Sequence, residues 1–238
     1  MSIPPCKPSR YRLKETPINR PASLAVMALA GCLSILMAQS PGALTITRLQ
    51  YGGGGDWYAD ASSLPNLIRF TTAGTGIQIS PEERRAKIGD DRFWESSYFY
   101  LTGHGNIFFT AEEANLLRTQ LLNGAFLHAD DNYGMDAAFR REMKKVFPDK
   151  NWVELSPGHP IFSIVFALPE GLPKIHEHDN GRPQCLALFD GDRLLVLYTY
   201  ESDLGDGWED SQVHDVPAEL RESALRMGAN IIAYVLSQ

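Results

Sequence analysis

Residues 98–134, YFYLTGHGNIFFTAEEANLLRTQLLNGAFLHADDNYG, constrain the fold more tightly than any other part of the chain. They read as strand, polar loop, helix, strand and polar loop. Thr110 and Glu113 fit a capping box at the helix start. Ala114, Leu117 and Leu121 make one apolar stripe, and Gly124 stops the helix. Both strands run out into hydrogen-bonding residues, 102–106 after the first and 128–132 after the second. In an open parallel sheet, ligands bind just beyond the carboxyl ends of the strands. The pattern therefore points to where a site lies without naming a reaction.

The flanking segments extend the same α/β pattern. Residues 44–51, LTITRLQY, predict a first strand, running into Gly52–Gly55 and then Asp56 and Trp57. A helix follows through Leu64, Leu67, Ile68 and Phe70, capped by Ser62 or Ser63. Ile77 and Ile79 suggest a short second strand, and residues 90–94 a helical turn. Residues 135–147 predict a helix with Phe139, Met143, Val146 and Phe147 on its apolar side. Its cations, Arg140, Arg141, Lys144 and Lys145, read as a solvated face. Residues 149–183 are proline-rich, with extended pieces at 152–155 and 161–167. Residues 184–190 and 193–200 predict a hairpin about Asp190-Gly191-Asp192. Residues 201–210, ESDLGDGWED, read as an acidic loop, and a last helix starts at Pro217. There is no internal repeat or linker, so residues 44–238 are expected to form a single domain.

Charge is unevenly spread. The chain of 238 residues carries a formal −7; its first 43 residues hold five cations and one acid, which leaves −11 on the rest. Phosphate binding needs a basic footprint, so nucleic acid is excluded as a main partner. Residues 1–43 read as a leader: a basic start, the apolar run 22–38, then small residues at Ala38 and Ser40, the pattern of a secretory signal. The run is slightly short for a spanning helix of about 20 residues. Leu29-Ala30-Gly31-Cys32 offers a lipoprotein box as one alternative, and an uncleaved anchor is another. All three place the body in the periplasm or cell envelope, with the membrane touched only through the leader. Cys6 and Cys32 belong to the leader, so Cys185 is the body's single thiol and no intramolecular disulfide holds the domain.

Histidine and carboxylate recur where strands end, a combination suited to metal ligation or general acid–base work. The catalytic candidates are His104, His128 and Asp131. The candidate ligands for a divalent metal are His128, Asp130, His176, His178 and Asp203. His176 and His178 would face the same way in an extended segment, with Glu177 between them and Asp179 following. The candidates for holding a small polar ligand are Gly53, Gly54, Asp56, Trp57, Asn106, Asn132, Glu201 and Asp206. Each has a plainer reading beside it. His104 could bond loop backbone, the glycines could form a flexible turn, and the acidic loop could be a solvated cap. His159 and His214 read as structural or exposed. No spacing matches a strong zinc pattern, and no Gly-x-Ser-x-Gly elbow is present.

The strings YGGGGDWYAD, YLTGHGN, GAFLHADDNYGMD, FRREMKKVFPD, GLPKIHEHD and ESDLGDGWED resemble those of a bacterial family, domain of unknown function 4159, from about residue 44 to 238. That resemblance implies the class I glutamine amidotransferase-like fold, a flavodoxin-like three-layer α/β sandwich with a mostly parallel sheet, here with a C-terminal hairpin and helix. It also implies a nucleophile position just after Phe126 and Leu127. His128, Ala129 and Asp130 stand there instead of cysteine, so glutamine hydrolysis is not carried over. Family members resemble envelope proteins found beside MoxR-type ATPases and von Willebrand A-like proteins. Two functions are expected on these grounds. One is an exported metal-assisted hydrolase or small polar ligand binder; the other is a non-catalytic module that binds an envelope protein.

Overall fold

Short apolar runs become the strands of one seven-stranded sheet in the computed structural model, which describes Met1, residues 42–178 and residues 180–238. Residues 2–41, most of the leader, and Asp179 lie outside the described residues. The strands are β1 (Ile46–Gln50), β2 (Arg84–Lys87), β3 (Tyr98–Leu101), β4 (Phe126–Asp130), β5 (Val153–Glu154), β6 (Gln184–Asp190) and β7 (Arg193–Tyr200). Their order across the sheet is β2-β1-β3-β4-β7-β6-β5. β2, β1, β3, β4 and β7 run parallel; β6 is antiparallel to β7, and β5 to β6. Strands of a parallel sheet are covered on both faces and so read as continuous apolar runs. β3 and β4 are buried at every residue.

Because side chains alternate along a strand, two apolar clusters form on opposite faces. Phe99, Leu101, Leu127, Ala129, Val196 and Tyr198 pack with α3 (Ala111–Leu122) and α4 (Asp136–Val146). Tyr98, Tyr100, Phe126 and Leu197 pack with α1 (Ser63–Thr75), α5 (Leu204–Trp208) and α7 (Ala218–Leu236). The capping box of α3 is made in full: the Glu113 amide donates to Thr110 Oγ1 at 3.1 Å, and the Thr110 amide to Glu113 Oε2 at 2.7 Å. Two short helices complete the set, α2 (Asp91–Trp94), capped by Asp90, and α6 (Ser211–His214). Among the described residues no helix is long and apolar enough to cross a membrane.

Three local expectations differ from the structure. The second strand is Arg84–Lys87, not the segment of Ile77 and Ile79; Ile79 makes only an isolated bridge to Leu44. β2 is an edge strand that buries Ala86 alone, so its sequence RRAK carries no apolar pattern. Residues 161–167 are not extended. Pro160–Phe162 forms a 3-10 turn capped by His159, and the Phe166 amide then donates to Asn230 Oδ1 at 2.9 Å. The acidic loop contains α5, whose Gly205 lies where a Cβ would strike the Asp60 carboxylate.

Candidate functional site

Parallel strands deliver their following loops to one edge, and those after β1, β4 and β7 do so here on the face covered by α1, α5 and α7. Arg48 of β1 is buried with 1% exposure, against Glu83 at 3.0 Å. It also donates to the carbonyls of Ala59 at 2.8 Å and Asp60 at 3.2 Å, which fixes the loop after β1. Asn132, beyond β4, donates to Asp60 Oδ1 at 2.9 Å. Asp130, the last residue of β4, accepts from the Gly205 amide at 2.6 Å and from the Thr199 hydroxyl of β7. The chain leaves β7 through Glu201 and Asp203, both in the left-handed backbone region, with φ 57° and 61°. Such conformations cost of order 1–3 kcal/mol and gather where function requires them. Asp60 and Tyr133 on the same edge share the feature.

These turns gather histidines and carboxylates. His176 Nδ1 lies 2.8 Å from Asp206 Oδ2 and 3.3 Å from Asp203 Oδ2. His178 Nε2 lies 2.9 Å from Asp203 Oδ2. His214, at the end of α6, places Nε2 at 3.0 Å from Glu209 Oε2 and 3.2 Å from Asp206 Oδ1. The donor atoms of His176, Asp206 and His214 all fall within 4.8 Å of one another, as do those of Asp60, Asp206, Glu209 and His214. Asp60, Asp203, Asp206 and Glu209 are all buried, while the three imidazoles reach solvent.

Crowding of acids without water raises their proton affinity. Burial, then the charge of Asp206, pushes Asp60 up to about 7. Burial, then the charge of Asp203, pushes Asp206 up to about 7. Burial holds Asp130 well above the carboxylate range, with Asp203 adding to it. His176 is raised, chiefly by its hydrogen bond to Asp203. Asp203 Oδ1 and Asp206 Oδ1 are buried without a hydrogen bond, although the latter lies close to His214. A buried carboxylate oxygen left without a donor is costly. A cation satisfies both oxygens, and mixed imidazole and carboxylate donors suit a borderline divalent metal such as zinc.

Of the residues expected at the rim, His176, His178, Asp203 and Asp206 come together. His128 stands apart from them: it is fully buried between Tyr100 and Trp208 and bonds Thr199 Oγ1 at 3.1 Å. Burial pushes its imidazole down to about 3, so it is neutral, and it belongs to neither set of clustered donors. Strand β4 continues two residues beyond it, which keeps its ring inside the core. Asp130 supports Gly205, as described above. Asp131 accepts from the Glu201 amide at 3.4 Å, and burial pushes it up to about 6. Glu201 pairs with Lys174 at 2.9 Å.

His104 forms a separate group with Asp56, Nδ1 to Oδ2 3.1 Å, its side chain 53% exposed. The glycine run meets the backbone of that same loop. A Cβ on Gly55 would sit 2.7 Å from the carbonyl oxygens of His104 and Asn106, and one on Gly53 2.8 Å from the Phe108 nitrogen. Gly54 has open space around it. Asn106 donates to the Gly53 carbonyl at 3.0 Å, bracing the two loops. Trp57 is half-buried against the α3 and α4 cluster. An open cavity of about 730 Å³ lies elsewhere again, along Thr45, Glu83, Arg84 and Arg92.

Sequence reasoning missed Asp60, Glu209 and His214. Asp60 and Glu209 lie within the strings YGGGGDWYAD and ESDLGDGWED, so their types were on view. His214 carries no local signal, because a four-residue surface helix delivers it.

Residues 45–236 match the family model described as Domain of unknown function (DUF4159). No curated protein matches the chain.

Proposed function

The chain belongs to that family of unassigned function, and we propose from its rim cluster that the domain is a metal-dependent hydrolase. The observation that carries this reading is the convergence of His176, Asp206 and His214, and of Asp60, Asp206, Glu209 and His214, as two overlapping sets whose donor atoms lie within 4.8 Å of one another. A divalent cation there supplies Lewis acidity to a bound water or a substrate oxygen. Asp203 orients His176 and His178, and Asn132 and Arg48 hold the Asp60 loop.

We also propose a finer fold. The order β2-β1-β3-β4-β7, with helices on both faces, supports a flavodoxin-like three-layer arrangement of the class I glutamine amidotransferase type. β6 and β5 are additions at one edge. A thiol mechanism lacks support, because burial raises the Cys185 thiol far above its ordinary range and Cys185 opens β6. The leader supports an exported location, which fractionation of cells expressing the full chain would test.

Purified protein is expected to carry zinc, manganese or iron by elemental analysis. It should hydrolyse at least one member of a panel of phosphate and carboxylate esters, with loss of activity on chelation. His176→Ala and Asp206→Asn should remove both metal and activity. Metal-free protein with no gain in thermal stability from any of these cations would contradict the proposal.

A further inference from the structure

We infer that the cluster is a two-metal centre, in which Asp206 bridges a pair of divalent cations. The inference rests on the metal reading above and goes beyond it in the number of ions and the identity of the bridge. Asp206 turns its two oxygens to two different histidines: Oδ2 to His176 at 2.8 Å and Oδ1 to His214 at 3.2 Å. Each histidine has a further carboxylate of its own, Asp203 for His176 at 3.3 Å and Glu209 for His214 at 3.0 Å. The arrangement is thus two imidazole–carboxylate groups that share one acid. His178, on Asp203, adds a donor to the first group, and Asp60 adds one to the second.

Donors on one ion, with bonds of about 2.0–2.2 Å, lie roughly 3 Å apart, and each histidine keeps about that spacing from its two carboxylates.

Charge points the same way. Asp60, Asp203, Asp206 and Glu209 are all more than nine-tenths buried. Four ionised carboxylates match the charge of two divalent cations. The buried, unpartnered Oδ1 atoms of Asp203 and Asp206 fall in different groups, so each ion satisfies one of them. The pair would take divalent cations such as manganese or zinc, and its span suits a substrate that offers two oxygens at once, such as a phosphate ester.

The test is metal stoichiometry. Full-length protein stripped by chelator is dialysed against graded Mn²⁺ and assayed by elemental analysis, with low-temperature electron paramagnetic resonance on the loaded sample. Wild type is expected to bind two Mn²⁺ per chain and to give an exchange-coupled signal. Glu209→Gln and His214→Ala should each bind one and give an isolated-ion signal. Glu209→Gln keeps the side chain's size and carries the test if His214→Ala does not fold. One Mn²⁺ per wild-type chain with an isolated-ion signal overturns the inference and leaves the single-metal reading standing. No bound Mn²⁺ or Zn²⁺ overturns both. Two ions retained by Glu209→Gln overturns the assignment of the second group.

Discussion

Two imidazole–carboxylate groups occupy the carboxyl edge of the same sheet, and they solve their electrostatics in opposite ways. His104 and Asp56 form a single exposed pair. Against the cost of partial burial, the His104 amide and imidazole hold the Asp56 carboxyl below its usual range. At the other group, Asp60, Asp203, Asp206 and Glu209 are buried together around three histidines, and burial with mutual repulsion pushes Asp60 and Asp206 up to about 7. The first group is satisfied by its own contacts. The second is stable as a set of anions only with a cation among them. Residue types alone do not separate the two, since both read as histidine next to aspartate after a strand.

The comparison breaks most visibly at Arg48. It is a buried cation that holds the Asp60 loop, whereas the loop that follows His104 is held by the half-exposed Arg141, which donates to Asn106 Oδ1 and the Ile107 carbonyl. Arg48→Met leaves Glu83 to the half-exposed Arg85 and strips the Ala59 and Asp60 carbonyls of their guanidinium donor. The expected loss is about 3 kcal/mol, the lower end of the cost of breaking a buried pair, measured by urea unfolding.

The next effect is a pH slope. Carboxyls raised in the folded state keep protons that the unfolded chain has released, so they stabilise at low pH and lose that contribution as pH rises through about 7. Asp60, Asp206 and Asp131 act this way. His128, pushed down to about 3, acts oppositely and costs stability as pH falls below its ordinary 6.5. The carboxyls outnumber it. Chelated protein should therefore lose stability between pH 5 and 7, by about 1.4 kcal/mol per pH unit for each net proton. Saturating Mn²⁺ or Zn²⁺ should flatten or reverse the slope, because metal binds the deprotonated ligands. Thermal melts across that range, with and without metal, measure it.

How much of this was legible in the sequence follows from what each residue packs against. Strands such as Tyr98–Leu101 and Arg193–Tyr200 bury every or nearly every side chain, so their apolar runs announce them, and the Thr110–Glu113 capping box is a local signal made by local contacts. β2 buries one alanine, and α5 is held by tertiary contacts through residues that favour turns. Neither leaves a pattern to read. At the site, His176, His178, Asp203 and Asp206 were visible as types near strand ends. His128 differed because β4 runs on to Asp130 and turns the imidazole into the core. Asp60 and His214 depend on Arg48 and on the placement of α6, which are long-range facts.

Smaller effects sharpen the contrast. In chelated protein at pH 8, Asp206→Asn should raise stability by about 1 kcal/mol, because it removes a buried charge that is raised by its neighbours. Asp56→Asn should lower stability by less than about 1 kcal/mol, because it removes a partly exposed pair. Equilibrium unfolding of the two variants side by side distinguishes the groups by sign. The smallest effect belongs to His104→Ala, whose side chain is half exposed. Its stability should stay within about 0.5 kcal/mol of wild type, the range for a surface change.

The most direct measurement is the rise in melting temperature when Mn²⁺ or Zn²⁺ is added to chelated wild type, His104→Ala and His176→Ala. A strong, saturable rise in wild type and His104→Ala, with little or none in His176→Ala, is the predicted result. Equal rises in all three, or none in wild type, would contradict a metal centre at His176, Asp206 and His214.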